Sequence, residues 1–299
     1  MELLTRIIED IFSRLGITKN RWPKCLLEKA IMRMYKQRMG YCFDLDHPVT
    51  FTEKVQWYKS RYHRPDLLKC VDKYLFKSLI AEKLGSPDYV IPLFGVWEGV
   101  NDFRLSWNKL PEKFCLKSTL QSDGNYIKII EKSKTNLDNL CNEIKEWFKP
   151  KNLLINSFCS AYHKAVPRII AEEYMESISN QLYDYKIFCF NGNPYCIYAA
   201  VEHFQKENYP ITFYSLDWEK MDVKYGNHLN TAIPEPKHLK QMVEIAKKLS
   251  VGFPFIRVDF FDTPNKLFVA ELTFYPGGGF TQYHPTSFNK VLGDMFQLP

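Results

Sequence analysis

Two acidic residues near the C-terminus are spaced so that a hairpin would bring them together. The segment FIRVDFFDTPNKLFVAELTF reads as two strands joined by a turn, with Arg257 and Asp259 on one face of the first strand and Glu271 and Thr273 on one face of the second. Antiparallel pairing lets Asp259 approach Glu271 across the ladder. Neighbouring carboxylates repel unless a cation lies between them, and Mg²⁺ takes oxygen ligands. The pattern predicts a magnesium site at Asp259, Glu271 and Thr273; the alternative is a solvated hairpin with polar residues outward.

A basic residue and a glycine run flank these acids. Arg257 has a planar guanidinium that can hold a transferring phosphoryl group. After the second strand, Pro276 is followed by Gly277, Gly278 and Gly279, and such a run lets the backbone approach a ligand closely. We therefore expect the glycines to bind substrate, with a simple flexible turn as the alternative.

A lysine in an apolar segment also points to an anionic ligand. Lys117 ends the run FCLK. Burying an ammonium there is costly without an anionic partner. The pattern therefore favours a phosphate or carboxylate beside Lys117.

Composition narrows the class of protein. The chain has 299 residues, enough for two lobes or one large domain, and a net charge of +6 from 40 basic and 34 acidic residues. The excess is mild and not gathered in a basic stripe, so we do not expect a nucleic acid partner. Eight cysteines without a C-x-x-C pair fit free thiols in a reducing cytoplasm. The N-terminus lacks the apolar core of a signal peptide, and no apolar run is long enough to span a membrane.

The N-terminal segment, residues 1–68, is predicted to be helical. Apolar residues between Leu3 and Leu15 recur at helical spacing, and Gly16 ends the run. A second helix over about residues 24–39 carries Leu27 and Ile31 on one face and basic residues on the other. This segment either packs on the main body or rests on a membrane surface, which would place the protein at the inner face of the membrane.

The remainder reads as two α+β lobes with antiparallel sheets. Residues 69–164 contain a helix ended by Gly85, then short strand-like runs and the helical segment TNLDNLCNEIKEWF. Residues 165–299 contain closely spaced strand patterns, a hairpin turn at NGNP and the helical segment PKHLKQMVEIAKKLS. We expect the lobe boundary between residues 164 and 165.

The order of these motifs resembles a known family. RVDFF followed by ELTFYPGG is similar to the closing motif of the ATP-grasp superfamily, which includes the D-alanine–D-alanine ligases. HPVTFTEKVQWYK, VDKY, IPLFGVW, RIIAEEYM, YDYKIFCFNG and AELTF together resemble the TupA-like ATP-grasp family, found in bacterial loci for surface polysaccharide and teichuronopeptide synthesis. The resemblance runs from about residue 40 to the end. It implies an ATP-grasp fold in which two lobes clasp ATP and Mg²⁺.

The resemblance also implies site roles by position. Lys77, at the end of a D-K-x-x-x-K pattern, and Lys117 would reach the nucleotide phosphates. Glu172, Tyr174 and Met175 in AEEYM would form the adenine hinge. On the next strand, Asp184 would hold the ribose, and Lys186 would meet a phosphate or the acceptor carboxylate as a catalytic residue beside Arg257 and Lys117. A cross-strand salt bridge is the alternative for Asp184 and Lys186.

Two positions depart from the superfamily pattern. The loop after Lys117 reads STLQSDGN, without the family's Asn-His pair, and leaves Gly124 to wrap a phosphate. Thr273 stands where many ATP-grasp ligases have a metal-binding Asn, although the TupA-like family itself carries Thr there.

The implied reaction joins a carboxylate to an amine through an acyl phosphate. The implied carboxylate is a uronic acid of a surface glycan or of its nucleotide-sugar precursor, and the amine substrate is an amino acid or amino alcohol. Three alternatives stay open: a phosphotransferase, a degenerate nucleotide-binding scaffold, and a glycosyltransferase. The only D-x-D match, at Asp44–Asp46, lies in the N-terminal segment, which disfavours the last.

Overall fold

The protein is seen in a computed structural model that describes residues 22–120, 126–148, 158–162, 164–175, 182–201 and 209–299. The helices of these ranges are α1 (Lys24–Met39), α2 (Phe51–Arg61), α3 (Leu67–Val71), α4 (Leu75–Leu84), α5 (Val100–Ser106), α6 (Leu137–Trp147), α7 (Leu239–Ser250) and α8 (Ser287–Met295). The strands are β1 (Leu93–Trp97), β2 (Lys113–Ser118), β3 (Ile127–Glu131), β4 (Ile169–Glu172), β5 (Tyr183–Phe190), β6 (Asn193–Val201), β7 (Ile211–Tyr214), β8 (Lys224–Tyr225), β9 (Phe255–Asp262), β10 (Leu267–Thr273) and β11 (Tyr283–His284).

The first sheet has the order β1–β4–β2–β3, and all its pairings are antiparallel. Its core contains Phe103 of α5 and Ile144 of α6, both fully buried. We expected β4 in the second lobe, but it lies between β1 and β2, and all four of its residues are buried. Strand pairing therefore ends the first sheet after Glu172, not at residue 164.

The second sheet has the order β10–β9–β5–β6–β7, and all its pairings are also antiparallel. The predicted NGNP hairpin joins β5 to β6, with Asn191 and Gly192 both at positive φ, as a tight hairpin turn requires. Helix α7 packs its apolar side on β5, β6 and β9. The predicted α+β class with antiparallel sheets is confirmed.

Helix α2 belongs to the core of the second lobe although it lies early in the chain. Thr50 and Glu53 form a capping box at its start. The ring of Phe51 lies 4.9 Å from that of Phe255 and 6.1 Å from that of Phe296. Packing of this kind ties the N-terminal segment to the end of the chain.

Helix α1 confirms the prediction for residues 24–39. Its apolar side is buried, including Leu27, Ile31 and Tyr35, and Gly40 ends it in the left-handed conformation. The helix predicted over residues 3–15 lies outside the described residues. Every described helix is too short or too polar to cross a bilayer, and none of the eight cysteines, all of which are described, forms a disulfide.

Two hairpins contain register shifts that matter for the site. In β9–β10 the shift lies at Ala270, between the pairs Val269–Phe260 and Glu271–Asp259. In β5–β6 it lies next to Phe188, which pairs with Cys196. Each shift is a β-bulge, in which one strand carries an extra residue and changes the face on which later side chains lie.

Candidate active site

The acidic hairpin forms as the sequence predicts. Asp259 and Glu271 are direct partners across β9–β10, so their side chains share a face. Arg257 binds Asp259 through two bonds, Nε to Oδ1 at 2.7 Å and Nη2 to Oδ2 at 2.5 Å, and its Nη2 also donates to Thr273 Oγ1 at 3.2 Å. Burial alone would lower the pKa of Arg257, but Asp259 outweighs it and raises that pKa. The predicted Arg257, Asp259, Glu271 and Thr273 are therefore together.

Strand β5 adds a lysine and a third acid to this cluster. Lys186 pairs with Asp259 across β5–β9, and its Nζ lies 3.1 Å from Asp259 Oδ2 and in contact with Asp184. Burial raises the pKa of Asp184, and its Oδ1 is buried with no hydrogen-bond partner in the described part of the chain. Burial alone would lower the pKa of Lys186, but Asp184 and Asp259 together raise it. The predicted ribose residue Asp184 thus lies beside the proposed metal pair.

Tyr198 is a member of this cluster that the sequence did not single out. It is the cross-strand partner of Lys186, and its ring centroid lies 5.9 Å from both Lys186 Nζ and Arg257 Cζ. These distances are within the range of cation–π attraction. The ring thus forms one wall of the charged cluster.

Glu172 forms a second cluster, at the end of the first sheet. Its Oε1 lies 2.6 Å from Lys77 Nζ and its Oε2 lies 2.7 Å from Lys117 Nζ. Lys77 Nζ also donates to the Ile91 carbonyl at 2.8 Å. Three residues predicted to contact the nucleotide, from α4, β2 and β4, therefore meet at one point.

The charges of this second cluster are unequally shared. Burial alone would raise the pKa of Glu172, yet the two lysines lower it. Burial lowers the pKa of Lys77; Glu172 opposes this shift, and the charge of Lys117 adds to it. Two ammonium groups therefore contact the one carboxylate of Glu172, an arrangement that suits an additional anionic ligand.

The hinge residues after β4 differ in their surroundings. Lys113 Nζ lies 4.1 Å from the centre of the Tyr174 ring. Met175 packs on a small apolar cluster of Ile91, Phe261 and Phe268. This cluster connects the hinge to the β9–β10 hairpin. Gly124 lies outside the described residues, together with the rest of residues 121–125.

The glycine turn is more closely packed than the sequence suggests. Gly277, Gly278 and Gly279 all have positive φ. Gln56 Nε2 donates to the carbonyls of Gly278 and Gly279 at 3.1 and 2.7 Å, and Lys59 Nζ donates to Gly278 at 2.9 Å. Gly279 is buried and Gly277 is exposed. Helix α2 thus holds two of the three glycines, whereas Gly277 faces a cavity.

The oxygen donors of the hairpin fit a Mg²⁺ ion. Asp259, Glu271 and Thr273 offer only oxygens, which this hard cation prefers. Glu271 makes no ion pair or hydrogen bond among the described residues and is half-buried. No group of three or more acid, histidine or cysteine side chains suited to a metal occurs in the described ranges. The remaining ligands would therefore come from phosphate and water.

Comparisons with solved structures give similarities at low sequence identity. Among solved structures, the chain is similar to a D-alanine–D-alanine ligase from Bacillus anthracis complexed with ATP, with 17% identity, coverage of 84% of this chain and 69% of that one, and a TM-score of 0.45. It is also similar to an L-amino acid ligase from Bacillus licheniformis, with 14% identity, coverage of 84% and 54%, and a TM-score of 0.44. A second structure of the Bacillus anthracis ligase has 16% identity and a TM-score of 0.42; the match covers 76% of this chain and only 65% of that one.

Sequence comparison gives the family directly. No protein of curated function matches the chain. The sequence profile described as TupA-like ATPgrasp matches residues 53–297, most of the chain, including both charged clusters. The protein therefore belongs to the TupA-like ATP-grasp family and has the ATP-grasp fold.

Proposed function

We propose that the protein is an ATP- and Mg²⁺-dependent carboxylate–amine ligase. It would join a uronic acid of a surface polysaccharide, or of its precursor, to an amino acid or amino alcohol. The observation that carries the proposal is the arrangement of Arg257, Asp259, Lys186 and Glu271 on one face of the second sheet. The proposed substrate class rests on the family, which is found in bacterial loci for surface polysaccharide synthesis.

Charge complementarity supports nucleotide binding between the two clusters. Ile91 connects them, since its carbonyl accepts from Lys77 and its side chain packs on Phe261 and Phe268 of the hairpin. The two clusters together hold four basic and four acidic side chains. A divalent cation at the hairpin would make the whole positive and attractive to the phosphates of ATP.

The proposed reaction has two steps, which this charge arrangement would support. The acceptor carboxylate attacks the γ-phosphorus of ATP, the bond to the bridging oxygen breaks, and ADP leaves. The amine then attacks the acyl carbon, and phosphate leaves as the amine loses a proton. Mg²⁺, when held by Asp259, Glu271 and Thr273, would neutralise phosphate charge.

The chain's own cations would stabilise the charge that develops during transfer. Arg257 and Lys186 are fixed by Asp259, so they need little reorganisation to act on the transferred phosphoryl group. Lys77 and Lys117 would bind phosphate oxygens beside Glu172, in the role expected of them from the sequence. We further propose that the enzyme works in the cytoplasm, with the N-terminal segment allowing contact with the inner face of the membrane.

A mass-spectrometric assay tests the proposal. The protein is incubated with Mg-ATP, nucleotide-linked uronic acids and a pool of amines, and nucleotide and acceptor masses are read together. ADP with an acceptor heavier by one amine minus water supports the ligase. ADP with an acceptor heavier by one phosphate would identify a phosphotransferase instead. Asp259→Asn should abolish ADP formation while the protein stays folded; retained turnover would refute the metal assignment.

A further inference from the structure

A cavity of about 570 Å³ lies beside the glycine turn, outside the clusters described above. Arg38 of α1 lines one side, Tyr225 and His228 line another, and Gly277, Phe280 and Thr281 complete it. This volume is within the range of small-molecule sites. The lining is aromatic and polar, and Arg38 is its only charged side chain among the described residues apart from any charge on His228.

Two cations lie against one aromatic ring at this cavity. Arg38 Cζ and Lys59 Nζ are each 4.8 Å from the centroid of Phe280. Neither residue forms an ion pair in the described part of the chain, and the acceptors of Lys59 are the neutral oxygens of Gln56 and Gly278, both at 2.9 Å. Lys59 is 3% exposed. Burial, with a smaller contribution from the charge of Arg38, lowers the pKa of Lys59 to about 8, although Cys159 opposes the shift.

Such a pair is electrostatically incomplete. A buried ammonium without a counter-charge loses hydration, and a second cation nearby adds repulsion. The ring of Phe280 and two carbonyl oxygens offset only part of this cost. An anion at the Arg38 side of the cavity would supply the missing charge.

The cavity adjoins the catalytic cluster. The rings of Tyr225 and Tyr198 lie 5.2 Å apart, and Tyr198 in turn contacts Lys186 and Arg257 at 5.9 Å. Thr281 Oγ1 donates to Tyr225 Oη at 2.9 Å, which fixes this wall. Two aromatic rings, those of Tyr225 and Tyr198, would therefore separate a substrate in the cavity from the charged face where transfer is proposed.

His228 adds a hydrogen-bonding group to the same wall. Its Nδ1 lies 3.1 Å from the carbonyl oxygen of Tyr209, which can only accept, so Nδ1 carries a hydrogen and donates. In the corresponding neutral tautomer, Nε2 is an acceptor. Together with the rings of Tyr225 and Phe280, it gives the cavity the mix of flat apolar and polar surface that suits a hydroxylated ring.

We propose that this cavity binds an anionic sugar unit of the acceptor substrate and that Arg38 contacts its carboxylate or phosphate. Lys59 acts as a positioning residue that holds the glycine turn and adds positive charge behind Phe280. The proposal rests on the proposed function, because it assigns a part of the acceptor for the same reaction. Arg38 precedes residue 53, where the family match begins, so the contact is supplied by the N-terminal segment.

Binding of simple sugars without ATP tests this proposal. Dissociation constants of glucuronic acid, glucose 1-phosphate and glucose are measured by NMR titration at low salt, for the wild type, Arg38→Gln and Arg38→Lys. Lys36→Gln is the matched control, since Lys36 is an exposed cation on the same helix and does not line the cavity. We expect Arg38→Gln to weaken binding of an anionic sugar at least about tenfold, Arg38→Lys to weaken it less, and Lys36→Gln to change it less than about twofold.

The outcomes separate the two sources of the anion and the two proposals. An Arg38-dependent affinity for glucuronic acid would identify a carboxylate, and one for glucose 1-phosphate would identify a phosphate; either supports the site. Equal binding by the wild type and Arg38→Gln, or binding of neither anionic sugar by the wild type, would overturn it. Because no ATP is present, a failure of the ligase assay leaves this result intact, and active ligase with an unaltered Arg38→Gln variant would refute the cavity alone.

Discussion

Replacing Glu172 with glutamine should be among the most damaging single changes to the stability of this protein. The carboxylate is 3% exposed and lies within 2.7 Å of two ammonium groups, one of which, Lys77, is itself 7% exposed. Glu172→Gln keeps the shape of the side chain but removes the carboxylate charge that both lysines contact. Breaking a buried ion pair from one side costs about 3–5 kcal/mol. Since Lys117 is more exposed than Lys77, we expect the lower part of this range.

Urea denaturation at neutral pH measures this loss, with Glu173→Gln as the control because Glu173 is its exposed neighbour. The control should change the free energy of unfolding by less than about 0.5 kcal/mol. A second substitution, Lys77→Met, should restore part of the stability by removing the uncompensated charge. A loss below about 1 kcal/mol for Glu172→Gln would show that water screens the cluster and would refute the reasoning.

The same carboxylate gives a pH dependence whose sign follows from its lowered pKa. The pKa of Glu172 in the folded protein lies below 4.5, its ordinary value. Its contribution is therefore complete above pH 4.5 and is lost as the pH falls through the folded pKa. The stability gap between the wild type and Glu172→Gln should narrow on acidification; a constant gap would contradict the assignment.

Other predictions test the glycine turn, the buried Lys59 and the proposed metal ligand Glu271. Gly279→Ala should lower the free energy of unfolding, measured in urea, by about 2–4 kcal/mol, because φ is +73° and a Cβ would lie 2.3 Å from Gln56 Nε2. The control is Gly85→Ala, which has a similar φ of +71° but no atom near the added Cβ and should cost only about 1 kcal/mol. Equal losses for the two variants would refute the steric argument. The pKa of Lys59 is about 8 in the folded protein and 10.5 in the unfolded chain. Between these pH values the unfolded chain binds more protons, so the free energy of unfolding of the wild type should rise by about 3 kcal/mol relative to Lys59→Met. A difference between the two proteins that does not change with pH would disprove the shift. Glu271→Gln should leave the melting temperature within about 2 °C yet raise the Mg²⁺ concentration for half-maximal ADP formation at least about tenfold, and an unchanged requirement would exclude Glu271 as a ligand.

Local patterns were sufficient to predict much of the second lobe. The alternation in RVDFF places Arg257 on the same face as Asp259, and the NGNP turn defines the β5–β6 hairpin. These features depend on neighbours in sequence, which fix strand faces and turn geometry. The helices over residues 24–39 and 239–250 follow equally from apolar periodicity.

Features that depend on distant segments were not predictable in the same way. Glu172 meets its two lysines from separate elements, and β4 inserts between β1 and β2 although it follows β3 in the chain. Tyr198 faces Lys186 only because the bulge beside Phe188 shifts the ladder; regular pairing from the turn would place Ile197 there instead. Gln56 and Lys59 are spaced three apart and so lie on one side of α2, a pattern in the sequence that could have indicated a polar contact of this helix.

The bulge at Ala270 adds one unpaired residue to β10 of the β9–β10 hairpin. From the turn to Val269, the residues of β10 pair regularly with those of β9. If this regular pairing continued, Ala270 would pair with Asp259, and Glu271 would pair with Val258 and face the core. The parity is changed by an apolar spacing of three, from Val269 to Leu272, both buried. A bulge placed nearer the end of β10 would bury Glu271 and expose Leu272. Burial of Val269 and Leu272 therefore keeps the side chain of Glu271 on the face of Asp259. The position of Glu271, the proposed metal ligand, is thus set by apolar side chains that would not contact the metal.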